Sequence, residues 1–138
     1  MSTEDIVAIR TLTDMYSAAA NRLDAKAMAA VYAEDGEIDA QGNQFKGRQE
    51  IERVFAETMD MMQVMNQICS AGVIEVTGDL ATAHWSIAEF AKRRNLDKLE
   101  LFIGDYQDEL IRTDEGWRFA KRVLTRRLQT RFDGLLRL

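Results

Sequence analysis

The sequence predicts an α+β fold in which helices precede a mostly antiparallel sheet. Two observations carry this. Up to Met62, apart from one short hairpin, apolar residues recur at three- and four-residue steps, the period of a helix face. Beyond Met62 they alternate through long stretches joined by turns such as "TGD" and "DEG", which is how consecutive strands read. With 138 residues, 46% of them hydrophobic and 30% charged, the chain is long enough to bury a core as one domain, residues 1–138.

The first helix carries Ile9, Leu12, Tyr16, Ala20 and Leu23 on one stripe. Ser2 with Asp5 resembles a capping box, Asp standing in for the usual Glu. A second, short helix starts behind Asp24 as N-cap and covers "AKAMAAVYA". "EDGEIDAQGNQFKG" reads as a hairpin punctuated by Gly36, Gly42 and Gly47. The third helix, "RQEIERVFAETMDMM", places Ile51, Val54, Phe55, Thr58 and Met62 on one face. The strands that follow are "QICSAGVIEV", "LATAHWSIAEFAKR", "KLELFIGDYQDELIRT" and "WRFAKRVLTRR". A sheet of such long strands twists, and can curl around amphipathic helices to leave a pocket at its open end.

Composition excludes several function classes. A net charge of −5 argues against a general affinity for nucleic acid. The basic stretch "KRVLTRRLQTR", with Arg122, Arg126, Arg127 and Arg131, reads as a strand with a solvated cationic edge. No apolar run reaches the ~20 residues of a membrane span. The N-terminus lacks the apolar region of a signal peptide, so a cytoplasmic location is expected. One histidine and one cysteine leave almost no room for a nitrogen/sulfur zinc site, and no intrachain disulfide can form. Phosphate-binding glycine loops and hydrolase motifs are missing, so no metal or organic cofactor is expected.

The ordered stretches "YSAAANRLDAKAMAAVYAEDGEID", "GRQEIERVF", "VTGDLATAHW" and "GDYQDELIRTDEGWRFAKR" resemble the SnoaL-like branch of the nuclear transport factor 2-like superfamily. The resemblance runs from about Asp5 to Arg127. It implies a cone-shaped, strongly curved sheet closed by three N-terminal helices, with a ligand cavity inside. One fold there carries dehydratases, isomerases, cyclases and non-catalytic binding domains. Compared with ketosteroid isomerases, Tyr16 falls on the oxyanion-hole tyrosine and Asp108 on the protonated aspartic acid, but the base position falls on Ala40. Compared with bile-acid dehydratases, Tyr16 matches again and Glu89 falls on the catalytic aspartate. Asn21 and Asn66 replace the other aspartate and the histidine. The paired histidines of scytalone dehydratases have no counterpart.

Glu89 is the most informative residue. It shares strand parity with Ala81, Ala83, Trp85 and Ile87, and a carboxylate on an apolar face is costly without a partner. A cavity on that face would supply ligand or water, and apolar neighbours would raise its pKa as a general base needs. The alternative is a strand that bends near Phe90, with Glu89 in solvent or paired to Arg93. Asp108 shares a face with Phe102, Tyr106 and Leu110. It would donate a hydrogen bond as a neutral acid, or pair with Arg118 or Arg122. Tyr16, Glu89 and Asp108 are therefore the candidate catalytic set. Asn66, Trp85, Tyr106 and Met62 are the candidate substrate contacts, with Met59, Met61 and Met65 clustered near Met62; at Asn66 a bulge or helix end is the alternative to an inward-facing side chain. His84 falls on the opposite, outer face.

Two functions follow. One is a cofactor-independent isomerase or lyase acting on a small, mostly apolar oxygenated molecule. The other is a ligand-binding or dimerisation domain without chemistry. A homodimer is expected in either case, because "KLELFIGD" is apolar on both faces. With Phe102 turned to the cavity, Leu99, Leu101 and Ile103 need a cover.

Overall fold

The computed structural model describes residues 2–70, 72–134 and 137. Three helices, α1 (Thr3–Asn21), α2 (Ala25–Ala30) and α3 (Arg48–Asp60), lie against a seven-stranded sheet. Its strands are β1 (Tyr32–Ala40), β2 (Asn43–Lys46), β3 (Met62–Cys69), β4 (Val73–Thr77), β5 (Leu80–Arg93), β6 (Leu99–Thr113) and β7 (Gly116–Phe132). They run in the order β2-β1-β7-β6-β5-β3, with β4 also paired to β5. The pairings are antiparallel except β1 with β7, which is parallel. Consecutive strands joined by tight turns can only be antiparallel, and only the distant β1–β7 pair escapes that constraint.

The helix caps behave as their chemistry dictates. Asp5 N donates to Ser2 Oγ at 3.1 Å and Ala27 N to Asp24 Oδ1 at 3.0 Å, each satisfying an orphan amide of a first turn. Both helix ends fall short of expectation. α1 stops at Asn21, and Leu23 takes φ +60° instead of continuing the stripe. The left-handed turn lets Leu23 N and Asp24 N donate to the Ala20 and Ala19 carbonyls, and Leu23 still packs on the core. α2 ends at Ala30, and Val31 and Tyr32 leave it for the sheet, where Phe119 N donates to Val31 O at 2.9 Å. The β1–β2 hairpin turns through Gln41 and Gly42 at φ +56° and +92°, the mirror-image turn that matches strand twist.

The expected strand "QICSAGVIEV" is two strands. β3 begins at Met62 and ends at Cys69, and β4 starts at Val73; Ala71 lies outside the described residues. Both pair with β5, at different stretches of it.

The sheet is strongly curved, and β6 shows how. The β6–β7 register slips at Ile103/Gly104 and again at Glu109/Leu110. Such bulges bend a strand and increase its twist. At Gly104 a Cβ would collide with the Thr125 carbonyl oxygen and with the Phe102 ring, so glycine is what allows the close approach there. Inside the curve, Tyr16 of α1 meets Tyr32, Phe55, Tyr106 and Phe119 edge-on, with ring centroids 6.0–6.5 Å apart. Ile9, Leu12, Ile51 and Ile87 complete the core around them. Among the described residues no helix is long and apolar enough to cross a membrane.

Candidate active site

Between the helices and the concave face of the sheet lies a cavity of about 260 Å³. Alternation along β5 and β6 positions its wall. Glu89, Ala91 and Arg93 follow Ile87 inward on β5, and Glu100, Phe102 and Tyr106 face them from β6. Gln67 of β3 pairs with Glu89, and Glu89 with Phe102, so these three stand in one row across the sheet. Tyr16 closes the helix side, and Met59, Met62 and Met65 line the wall between α3 and β3. These thioethers give the wall an adaptable surface. Met61 points out to solvent.

Glu89 is held by one neutral donor. Gln67 Nε2 donates to its Oε2 at 2.9 Å and to Tyr106 Oη at 3.1 Å. The amide orientation is fixed from the other side, where Ser17 Oγ donates to Gln67 Oε1 at 2.9 Å. Asn21 grips the same residue by its backbone: Gln67 N donates to Asn21 Oδ1 at 2.6 Å, and Asn21 Nδ2 donates to Gln67 O at 3.4 Å. Burial raises the Glu89 carboxyl above the ordinary glutamate range, and the Gln67 bond opposes that rise only in part. Arg93 is not its partner, since it bonds Glu100. Tyr16 and Tyr106 are likewise raised by burial, Tyr106 strongly. The Arg122 charge pulls both back, as does a hydrogen bond from Tyr106 in the case of Tyr16.

Asp108 stands elsewhere. It is buried beneath the cavity wall, where Arg122 Nε and Nη2 donate to its two oxygens at 2.8 and 3.1 Å and Trp85 Nε1 donates at 3.0 Å. Burial raises the Asp108 carboxyl, the Arg122 charge and hydrogen bonds oppose that rise, and Arg122 itself is driven further up. In this geometry both Asp108 oxygens accept, from the Arg122 guanidinium and the Trp85 indole, the arrangement of a bidentate ion pair. The Arg122 guanidinium lies 3.7 Å from the Tyr106 ring centre, 4.2 Å from Phe119 and 4.6 Å from Tyr16. The basic stretch thus starts with a fully buried arginine, not a solvated one.

Of the seven residues singled out by sequence, Tyr16, Glu89, Tyr106 and Met62 share the cavity wall. Trp85 is buried, but its indole serves Asp108. Asn66 is exposed on the outer face, and Gln67 takes the inward place. A bulge explains this: the β3–β5 register slips between Met62 and Val64. Strict alternation from Met62 would turn Asn66 inward, but one extra residue flips the parity to Met65 and Gln67. His84 lies on the outer face, 3.3 Å from Asp105. Cys69 is half-buried, and burial pushes its thiol up to about 11, far from a reactive thiolate.

A profile of the SnoaL-like domain matches residues 1–123. The chain belongs to the SnoaL-like family. Among solved structures it is similar to a nuclear transport factor 2-like protein with a cystatin-like fold from Novosphingobium aromaticivorans, at 26% identity and TM-score 0.78, covering 88% of this chain and 80% of that one. A scytalone dehydratase candidate from the same organism matches at 19% identity and TM-score 0.85, covering 94% and 89%. A type 2 hexachlorocyclohexane dehydrochlorinase matches at 18% and 0.84, covering 97% and 95%. Among curated proteins none matches in sequence. The match to the nuclear transport factor 2-like structure fits the curved sheet and helices seen here, and the two low-identity neighbours bear on fold alone.

Proposed function

We propose that the cavity binds a small, mostly apolar, oxygenated molecule and that Glu89 removes a proton from the carbon next to its carbonyl. The observation that carries this is the setting of Glu89: a carboxylate on a cavity wall, raised by burial, with a carboxamide and no cation as its partner. A carboxylate raised in this way is a stronger base than an exposed glutamate, and among the described residues no cation holds it in its charged form. The electron pair released from carbon moves onto the carbonyl oxygen. Tyr16, which accepts from Tyr106, lines the same cavity and would donate its phenol proton to that oxygen, and the Arg122 charge behind both rings favours the donation. Return of the proton to another carbon gives isomerisation; departure of a hydroxyl gives dehydration. No cofactor enters either route. The dehydratase and dehydrochlorinase neighbours, both named for reactions that remove a small group from carbon, agree with this class.

Ala40 on the cavity wall, at the isomerase base position, favours the other reading, a binding domain without chemistry. One experiment separates them. Ligand co-purified with the protein is identified by mass spectrometry, and enone and β-hydroxy-ketone panels are incubated in deuterated water. Wild type should exchange the α-proton of an active panel member, and Glu89→Gln should lose that exchange by ~10²–10⁴-fold. Ligand returned unchanged, or full exchange by Glu89→Gln, would sink the catalytic reading.

A homodimer belongs to the same proposal. Ile68, Ala88, Ile103 and Leu128 stand side by side across four strands on the convex face. Phe90 and Leu101 form the next row, and Ile68, Phe90 and Leu128 are exposed. A second copy laid on this face would cover it. Sedimentation at micromolar concentration should give twice 15.7 kDa; a monomer there speaks against it.

A further inference from the structure

The end of the cavity beyond Glu89 is charged, and the mechanism makes no use of it. Arg93 lies four residues along β5 from Glu89, about 13 Å at strand rise. Its Nε donates to Glu100 Oε1 at 2.6 Å. Arg131 Nε donates to the other oxygen, Oε2, at 3.0 Å. Arg93, Glu100 and Gln129 line the cavity, and Arg131 stands outside that lining, paired across the strands with Glu100. Burial pushes the Glu100 carboxyl up, but hydrogen bonds from the two arginines outweigh it and hold it below the usual range. Glu100 is therefore an anion with both oxygens engaged, set under two guanidinium groups whose side chains are 34% and 53% exposed.

The balance of this cluster is one carboxylate against two cations, so one positive charge is left over at the rim. The bonds to Glu100 use Nε of each arginine. Among the described residues the Nη groups of Arg93 and Arg131 donate to no acceptor. A carboxylate fastening two arginines by Nε leaves the outer nitrogens directed away from it, as paired donors for a second anion. An anion near Glu89 would be repelled, so the charge of a ligand belongs at the rim and its apolar body between Phe102 and the methionines.

Resting on the reading of the cavity as a ligand site, we infer that its ligand carries a carboxylate, held by the Nη groups of Arg93 and Arg131, while its carbonyl end reaches Glu89. Glu100 is a positioning residue for the two arginines. The rim then sets both the class of molecule admitted and its orientation.

Phenylbutyrate and its uncharged amide form a matched probe pair, and the methyl signals of Met59, Met62 and Met65 in nuclear magnetic resonance report cavity occupancy. The carboxylate should bind about tenfold more tightly than the amide, the yield of one charge-assisted hydrogen bond. That preference should shrink with added salt. In Arg93→Leu the carboxylate-to-amide ratio should fall to near one, and in Arg131→Gln it should fall several-fold. Equal affinities in wild type, or a ratio unchanged in both variants, would overturn the inference and leave the cavity reading standing, because the amide still binds. If neither probe moves the methionine signals, the cavity reading fails and takes this one with it.

Discussion

Glu89 and Asp108 stand on neighbouring strands, both turned into the curve of the sheet, and both are raised by burial. Their partners differ. Asp108 meets a guanidinium through two bonds and an indole through a third. Glu89 meets one carboxamide and the cavity. A buried carboxylate facing a buried cation is fixed in its ionised state and joins strands together. One facing a neutral donor beside open space keeps a proton affinity that a ligand can use. Charge of partner, more than depth of burial, separates the structural acid from the proposed base.

The sharpest way to break this comparison is Arg122→Met, which leaves Asp108 buried without its cation. Denaturant unfolding should show a loss of ~3–5 kcal/mol. Adding Asp108→Leu should recover much of it, since a well-packed apolar pair can replace a buried ion pair. A loss below ~1 kcal/mol in the single variant would mean that the pair does not hold β6 and β7 together there.

Gly104→Ala tests the bend that sets Phe102, at the level of Glu89, apart from Tyr106. The new methyl meets a backbone oxygen and a ring, an overpacking that should cost ~1–3 kcal/mol by the same measurement. It should also weaken ligand binding, because Phe102 must move.

Gln67→Leu removes the only donor to the Glu89 carboxylate among the described residues. A hydrogen bond to an anion lowers its pKa, so its loss raises Glu89 further. The acidic, ascending limb of the pH–rate profile, set by protonation of the base, should shift to higher pH, with a stability loss of ~1 kcal/mol. An unmoved limb would mean that Glu89 is not the titrating base.

The smallest effect is the pH dependence of stability. Glu89 is raised in the folded state, so its contribution is complete below the unfolded glutamate pKa and is lost as pH rises through the folded one. Glu89→Gln should therefore gain on wild type between acid and neutral pH. Glu100 is lowered, and its contribution is lost as pH falls through its folded value, so Glu100→Gln should gain on wild type as the solution is acidified. Melting temperatures measured across that range check both signs.

Much of this arrangement was legible in the chain. Strand parity alone put Glu89 on the face of Ile87, and helix period put Tyr16 on the inner stripe, because both elements are regular there. What escaped was irregular or relational. Gln67 took the place expected of Asn66 because one bulge after Met62 inverts the strand, and nothing in "MMQVMNQIC" announces a bulge. Asp108 could be read as an acid or an ion-pair member, and the choice depended on which of Arg118 and Arg122 turns inward across β7. The Arg93–Glu100–Arg131 cluster joins residues that meet only through strand pairing, and its separate charges read as an ordinary polar surface.

The grip of Asn21 on Gln67 bears on traffic through the molecule. β3 is an outer strand of the sheet, and the Asn21 amide occupies both the N–H and the C=O of Gln67 much as another strand would. Helix α1 is thereby stitched to the sheet margin beside the cavity. Lifting it would unmask backbone groups prone to pairing with a foreign chain. A ligand that came and went by that side would expose the protein to aggregation at each exchange. Arg93 and Glu100 line the cavity further along the sheet, so a ligand route past them would leave that seam closed.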